Sequence, residues 1–218
     1  MSAVPGATTT TPGYRHRGLE ELFRLARDAP LSLERDSFIF IRHGETDGNF
    51  SKIFQAADQP LNARGLEQAR TAAECLVGQR LQKIMASTMR RAWHTAEIVG
   101  EPHKLTPLAA EGLRERWFGD LVGTPSADYD WRASPPNGEA LAYFVERTQR
   151  GLREALAPGE LTVLVAHGGT LYVLAASLGL ELDNTAYANA TPLLVERAGS
   201  GWKATRLAAS TGTGDNIA

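Results

Sequence analysis

The chain has 218 residues, 43% of them hydrophobic and 22% charged, with a formal net charge of −2. That is enough apolar material for one large α/β domain or two small ones, and the near-neutral balance excludes a nucleic-acid binder that works by bulk positive charge. A single cysteine, Cys75, excludes a disulfide framework and a cysteine-rich zinc site, and no apolar run approaches the length of a membrane span.

Residues 1–17 are rich in Thr, Pro and Gly, lack the apolar stretch of a secretory signal, and read as a disordered tail. A reducing, cytoplasmic setting is the default expectation. From 18 to 29 (GLEELFRLARDA) the residues Leu19, Leu22, Phe23 and Ala26 share one helical stripe, which Pro30 ends. Phe38-Ile39-Phe40-Ile41 is a short apolar run of the kind a strand buried on both faces shows. It stops at Arg42-His43-Gly44-Glu45-Thr46, and the stretch 50–60 then reads as a loop beside the strand end. Asn62 is placed to cap a helix through Val77, with Leu66, Ala69, Ala73 and Leu76 facing inward. Lys83–Ala86 is a second strand, followed by a helix that Ser87 or Thr88 would cap and that Gly100 and Pro102 end.

The stretch 113–137 has little pattern and reads as a long loop, of the kind that carries function or stays disordered. Residues 139–156 form an amphipathic helix with Leu141, Phe144, Val145, Thr148, Leu152 and Leu156 on one face. Residues 161–166 (LTVLVA) are another buried strand, ending in His167-Gly168-Gly169 before an apolar helix to Leu178. Two runs flanking Gly199-Ser200-Gly201 form a hairpin, and 211–218 is a loose C-terminal tail. Strands alternating with helices predict an α/β fold with a largely parallel sheet, a single domain over 18–210.

Two buried strands thus end in His-Gly, and a third ends just before Arg90-Arg91. Neighbouring parallel strands present such ends to one crevice, where ligands of open α/β sheets bind. A pocket with two imidazoles and at least two guanidiniums suits a phosphate ester. Arginine's planar fork matches phosphate oxygens, the helix after Ser87 would turn its N-terminus toward the same anion, and a neutral imidazole can attack phosphorus and carry the phosphoryl group.

Four motifs in order carry a resemblance to the histidine phosphatase superfamily, the phosphoglycerate-mutase-like enzymes: RHGETDGN at 42–49, STMRRAWHTA at 87–96, LRERWFG at 113–119 and VLVAHGG at 163–169. The resemblance implies a three-layer α/β/α sandwich. It makes His43 the phosphorylated nucleophile, Glu115 the proton donor and His167 the second pocket histidine. Arg42, Asn49, Arg91 and Gly168, with His167, would contact the phosphate; Arg90 is read as a surface neighbour. Two positions depart from the common pattern: Gly48 where an aromatic is frequent, and Tyr172 where many members have arginine.

Other readings of single residues are plainer. His94 is read as structural or surface, His103 as solvated, Glu139 as part of its helix's first turn, and Cys75 as a small buried hydrophobe. A metal held by His43 and His167 is disfavoured by the arginines beside them, so no metal or cofactor is expected. The expected activity is a phosphomonoesterase acting on a small phosphorylated metabolite through a phosphohistidine. Phosphoglycerate-mutase-type transfer to a bound phosphorylated alcohol is the alternative, disfavoured because the resemblance gives mutases a longer insertion than the modest loop at 119–137. An inactive binding module is the third reading, against which the complete set of Arg42, His43, Arg91, Glu115 and His167 argues. Phe54, Tyr129 and Trp131 are candidate substrate contacts at the rim. Nucleic acid and membrane are not expected as partners; a second copy, in a homodimer, is left open.

Overall fold

A computed structural model describes residues 17–159 and 161–208. The tails expected at 1–17 and 211–218 lie outside the described residues except for Arg17, whose carbonyl accepts the Trp131 N–H at 2.8 Å.

Six strands form one sheet in the order β3-β2-β4-β1-β5-β6. These are β1 (Ser37–Arg42), β2 (Lys83–Ala86), β3 (Leu108–Ala109), β4 (Thr162–Ala166), β5 (Pro192–Ala198) and β6 (Gly201–Arg206). The first four in that order run parallel, and the β5–β6 hairpin adds antiparallel to β1. β3 is two exposed residues at the edge, too short to leave a pattern in the sequence.

Strand alternation sorts the core into two layers. Phe38 and Phe40 of β1 join Leu164 and Ala166 of β4 under α1 (Leu19–Asp28), α5 (Leu141–Ala155) and α6 (Gly168–Leu178). Ile39 and Ile41 join Val163, Val165 and Ile84 under α3 (Ala63–Leu76) and α4 (Arg90–Gly100). Burying each such side chain is worth about 1.5–3 kcal/mol, which is why a continuous apolar run and not an alternating one marks these strands. α6 is buried continuously from Gly169 to Ala175, as a helix apolar on all sides must be.

Several local expectations change. The start of the expected 50–60 loop overlaps a single helical turn, α2 (Asp47–Phe50), closed by a capping box between Thr46 and Asn49. Asn62 caps α3 as expected, its Oδ1 accepting the Gly65 N–H at 2.8 Å. The N-cap of α4 is Met89, without a side-chain cap; its N–H donates to Ser87 Oγ at 3.3 Å, and the same hydroxyl meets His167 Nε2. Glu139 lies outside α5, which Ala140 caps. Leu66 and Cys75 are half-buried, as is His103, whose Nε2 is buried and unpartnered.

Candidate active site

β1 and β4 are adjacent and parallel, with β2 on the other side of β4. Their carboxyl ends therefore bring His43, His167 and the Ser87–Arg91 corner together. The pairing continues one residue past the strands, since His43 N–H donates to Ala166 O at 2.9 Å and Ser87 N–H to Val165 O at 3.0 Å. The rings of His43 and His167 lie 5.1 Å apart between centroids. A cavity of about 570 Å³ at this edge is lined by Arg42, His43, Asn49, Arg91, Glu115 and Gly168, among others.

His43 has both ring nitrogens in hydrogen bonds and His167 one. His43 Nδ1 lies 2.7 Å from the Gly44 carbonyl, which can only accept. The proton therefore sits on Nδ1 and the lone pair on Nε2. Arg91 Nε donates to that lone pair at 3.2 Å, so the guanidinium stands beside the atom that would attack. His167 Nε2 meets Ser87 Oγ at 2.7 Å, and its buried Nδ1 has no protein partner. Burial, then the Arg91 and Arg42 charges, hold the His43 imidazole well below the usual histidine range. Burial, Arg91, His43 and Arg42 do the same to His167. Both are neutral at neutral pH. Arg91 is itself pushed down to about 10 by burial and by Arg42, against the pull of Glu115, and stays cationic.

The resemblance separated Arg91 from Arg90, and the helix geometry agrees. Arg91 is buried and reaches the pocket; Arg90 is exposed and its N–H donates to Ala57 O. Arg42 Nη1 donates to Tyr187 O at 2.7 Å, while its buried Nε has no protein partner. Two helices reach the cavity with their first turns, α4 through Arg91 and α6 through Gly168 and Gly169.

Glu115 sits on that turn. Its Oε2 accepts the Gly169 N–H at 3.0 Å and its Oε1 the Arg116 N–H at 2.9 Å. A Cβ on residue 169 would collide with the Glu115 carboxyl, so the second glycine of His-Gly-Gly is the space the acid occupies. The backbone around the acid is clamped from several sides. Arg147 donates to Gly112 O and Arg114 O, and pairs bidentately at 2.8 Å with Glu139, which accepts the Trp117 N–H. Arg116 is 1% exposed and donates to the carbonyls of Glu139, Trp131 and Ala133. The patternless stretch 113–137 is thus fixed in place by an arginine turned into it.

The far wall of the cavity is aromatic: Phe54, Phe118, Trp131 and Tyr172 line it. Phe54 and Phe118 stack at 4.1 Å, Phe118 meets Trp131 edge-on at 5.7 Å, and Trp131 meets Tyr172 at 6.2 Å. Of the three expected rim contacts, Phe54 and Trp131 are there; Tyr129 packs behind, edge-on to Phe54 and Phe118. Gly48 has no room for a side chain because Gln55 lies over it. Asn189, which also lines the cavity, went unread, since its surroundings (TAYANATP) carry no periodicity.

A mostly parallel sheet that gathers two neutral imidazoles, two guanidiniums and a carboxyl at one carboxyl edge defines an α/β protein of the phosphoryl-transfer class. Comparison with known proteins gives the family: residues 38–210 match the histidine phosphatase superfamily (branch 1), and the chain belongs to it. It is 33% identical over 172 residues to an uncharacterized phosphatase, PhoE, of Bacillus subtilis, covering 75% of this chain and 89% of that protein. It is 32% identical over 171 residues to a phosphoglycerate mutase of Schizosaccharomyces pombe, covering 66% and 81%. Among solved structures, a mycobacterial glucosyl-3-phosphoglycerate phosphatase complexed with VO3 superposes with a TM-score of 0.63 at 27% identity, over 79% of this chain and 97% of that one.

Proposed function

We propose that this protein is a phosphomonoesterase that works through a phosphohistidine at His43 on a small phosphorylated metabolite. The carrying observation is the His43 ring: Nδ1 is tied to Gly44 O at 2.7 Å and Nε2 lies beside Arg91. A neutral imidazole held this way is a nucleophile with its proton out of the path.

In the first step Nε2 attacks phosphorus in line, the N–P bond forms and the ester P–O bond breaks. Glu115 gives its proton to the departing alkoxide. Arg42, Arg91 and an N–H of Asn49 meet the equatorial oxygens, and His167 donates from Nδ1 when Ser87 O–H donates to its Nε2. In the second step water takes the alcohol's place and attacks phosphorus. Ionised Glu115 accepts its proton, the P–N bond breaks, and inorganic phosphate leaves. The arginines supply the charge that a metal supplies elsewhere.

Water, rather than a second phosphorylated alcohol, is the acceptor we infer. The wall facing the phosphate site is aromatic, and Arg116, the cation nearest those rings at 5.6–5.7 Å, already spends its donors on three carbonyls. Lys52 also lines the cavity but is exposed, so a carboxylate or second phosphate meets no buried, uncommitted cation at that wall among the described residues. The same reading places the protein in the cytoplasm, supported by its single cysteine, and without a nucleic-acid partner, supported by the net charge of −2. No described helix is long and apolar enough to cross a membrane.

Rapid quench with a radiolabelled phosphomonoester tests the central claim. Acid-labile label should appear on the wild-type protein before phosphate is released, without added bisphosphoglycerate. His43→Ala should lose both label and turnover while remaining folded. Turnover close to wild type in that variant would refute the assignment.

A further inference from the structure

The residue after Asn189 is held in a left-handed backbone conformation, Ala190 at φ 48°. A side chain with a Cβ adopts that region at a cost of about 1–3 kcal/mol, and persists there only when its surroundings demand it. What they demand is visible in the hydrogen bonds. Tyr187, Asn189 and Ala190 cross the carboxyl end of β1, and each binds a part of the phosphate site. Tyr187 O accepts Arg42 Nη1 at 2.7 Å, and Ala190 N–H donates to Arg42 O at 2.8 Å. Asn189 Nδ2 donates to His43 O at 2.8 Å and to Asn49 Oδ1 at 3.3 Å.

The second contact of Asn189 has a chemical consequence. A primary amide presents an acceptor on one side and a donor on the other, and the two are sterically alike. Turned one way Asn49 offers N–H to an anion; turned the other it offers oxygen. Asn49 Oδ1 is met by the Thr46 N–H at 3.3 Å and the Thr46 hydroxyl at 3.1 Å as well as by Asn189 Nδ2. Donors from two different parts of the chain on one oxygen leave that amide a single favourable orientation, with Nδ2 free for the cavity that Asn49 lines. The Thr46 contact lies within the α2 capping box and comes with the local fold. The Asn189 contact arrives from 140 residues away.

We propose that Asn189 is a positioning residue for phosphate binding: it fixes the Asn49 amide with its N–H toward the phosphoryl group, and the strained Ala190 is what brings it there. This rests on the phosphatase reading above, in which Asn49 contacts the phosphate.

The test uses inorganic phosphate as a competitive inhibitor of the full-length enzyme, in wild type, Asn49→Ala, Asn189→Ala and the double variant. One hydrogen bond to a charged group corresponds to about tenfold in affinity. Asn49→Ala and Asn189→Ala should each weaken phosphate by about that factor, and the double variant should be no weaker than Asn49→Ala alone. Asn189→Leu keeps the branched shape without the donors, should behave like Asn189→Ala, and serves if the alanine variant fails to fold. Unchanged inhibition in Asn49→Ala would overturn the role of Asn49 and the proposal with it. A loss in Asn49→Ala with none in Asn189→Ala, or with a further tenfold loss in the double variant, would overturn the positioning role and leave the phosphate site standing.

Discussion

At the scale of single residues, the proton donor and the phosphate ligands should separate in one experiment. In the proposed mechanism Glu115 acts on the leaving oxygen, so its help would grow with the basicity of the alcohol, and Arg91 on the phosphoryl group that all substrates share. Glu115→Gln should slow phosphorylation of an alkyl phosphate by about 10²–10⁴-fold and that of p-nitrophenyl phosphate far less, in single-turnover measurements. Arg91→Ala should slow both. Equal losses in Glu115→Gln would assign the proton to another group. The histidines, arginines and acid were legible because each sits in a local motif next to a strand or turn that the pattern also shows. Asn189 was not, because its meaning lies in contacts to Asn49 and His43, and neither leaves a trace in its own neighbours. The second role of Ser87 was likewise hidden: its hydroxyl, which accepts the Met89 N–H beside α4, also meets His167 on another strand's end.

Among the elements, the segment carrying the acid is held by side chains that bind its backbone, Arg116 at three carbonyls and Arg147 at two. Arg116→Leu would leave the buried Trp131 carbonyl without that partner, at about 1–3 kcal/mol; the Glu139 and Ala133 carbonyls are part-buried, and Ala133 O keeps the Tyr129 hydroxyl. We expect a drop of about that size in urea-unfolding stability, faster proteolytic cleavage between 119 and 137, and reduced activity because Glu115 is the neighbouring residue. Arg116→Lys should not restore it, since one ammonium cannot span three carbonyls at 2.6–3.0 Å. Unchanged unfolding and cleavage in Arg116→Leu would mean the segment is held by its other contacts. The long helices and buried strands were readable from periodicity alone. This segment was not, because its order comes from hydrogen bonds of Arg116, Arg147 and Glu139 to backbone groups, which have no period.

For the molecule as a whole, the two buried imidazoles tie stability to pH. Both are held below the ordinary histidine range in the fold, whereas in the unfolded chain they take up protons near pH 6.5. The unfolded state therefore binds more protons on the acid side, and stability falls as pH drops below that value. Each histidine adds a slope of at most about 1.4 kcal/mol per pH unit. Urea unfolding between about pH 7.5 and 5.5, which brackets the histidine range, should show this fall in wild type. A shallower fall is expected in the His43→Gln, His167→Gln double variant. Parallel curves would show that the imidazoles are not kept neutral.

The way the acid's segment is fastened also bears on how such an enzyme can diversify. Arg116, Arg147 and Glu139 grip the main chain, at Gly112, Arg114, Trp117, Trp131 and Ala133. Side chains elsewhere on the rim, Ser126 and Ala127 among them, are not among the gripped groups. Substitutions there can accumulate without moving Glu115, so the taste of the pocket for one alcohol or another can drift over generations while the catalytic step is inherited intact.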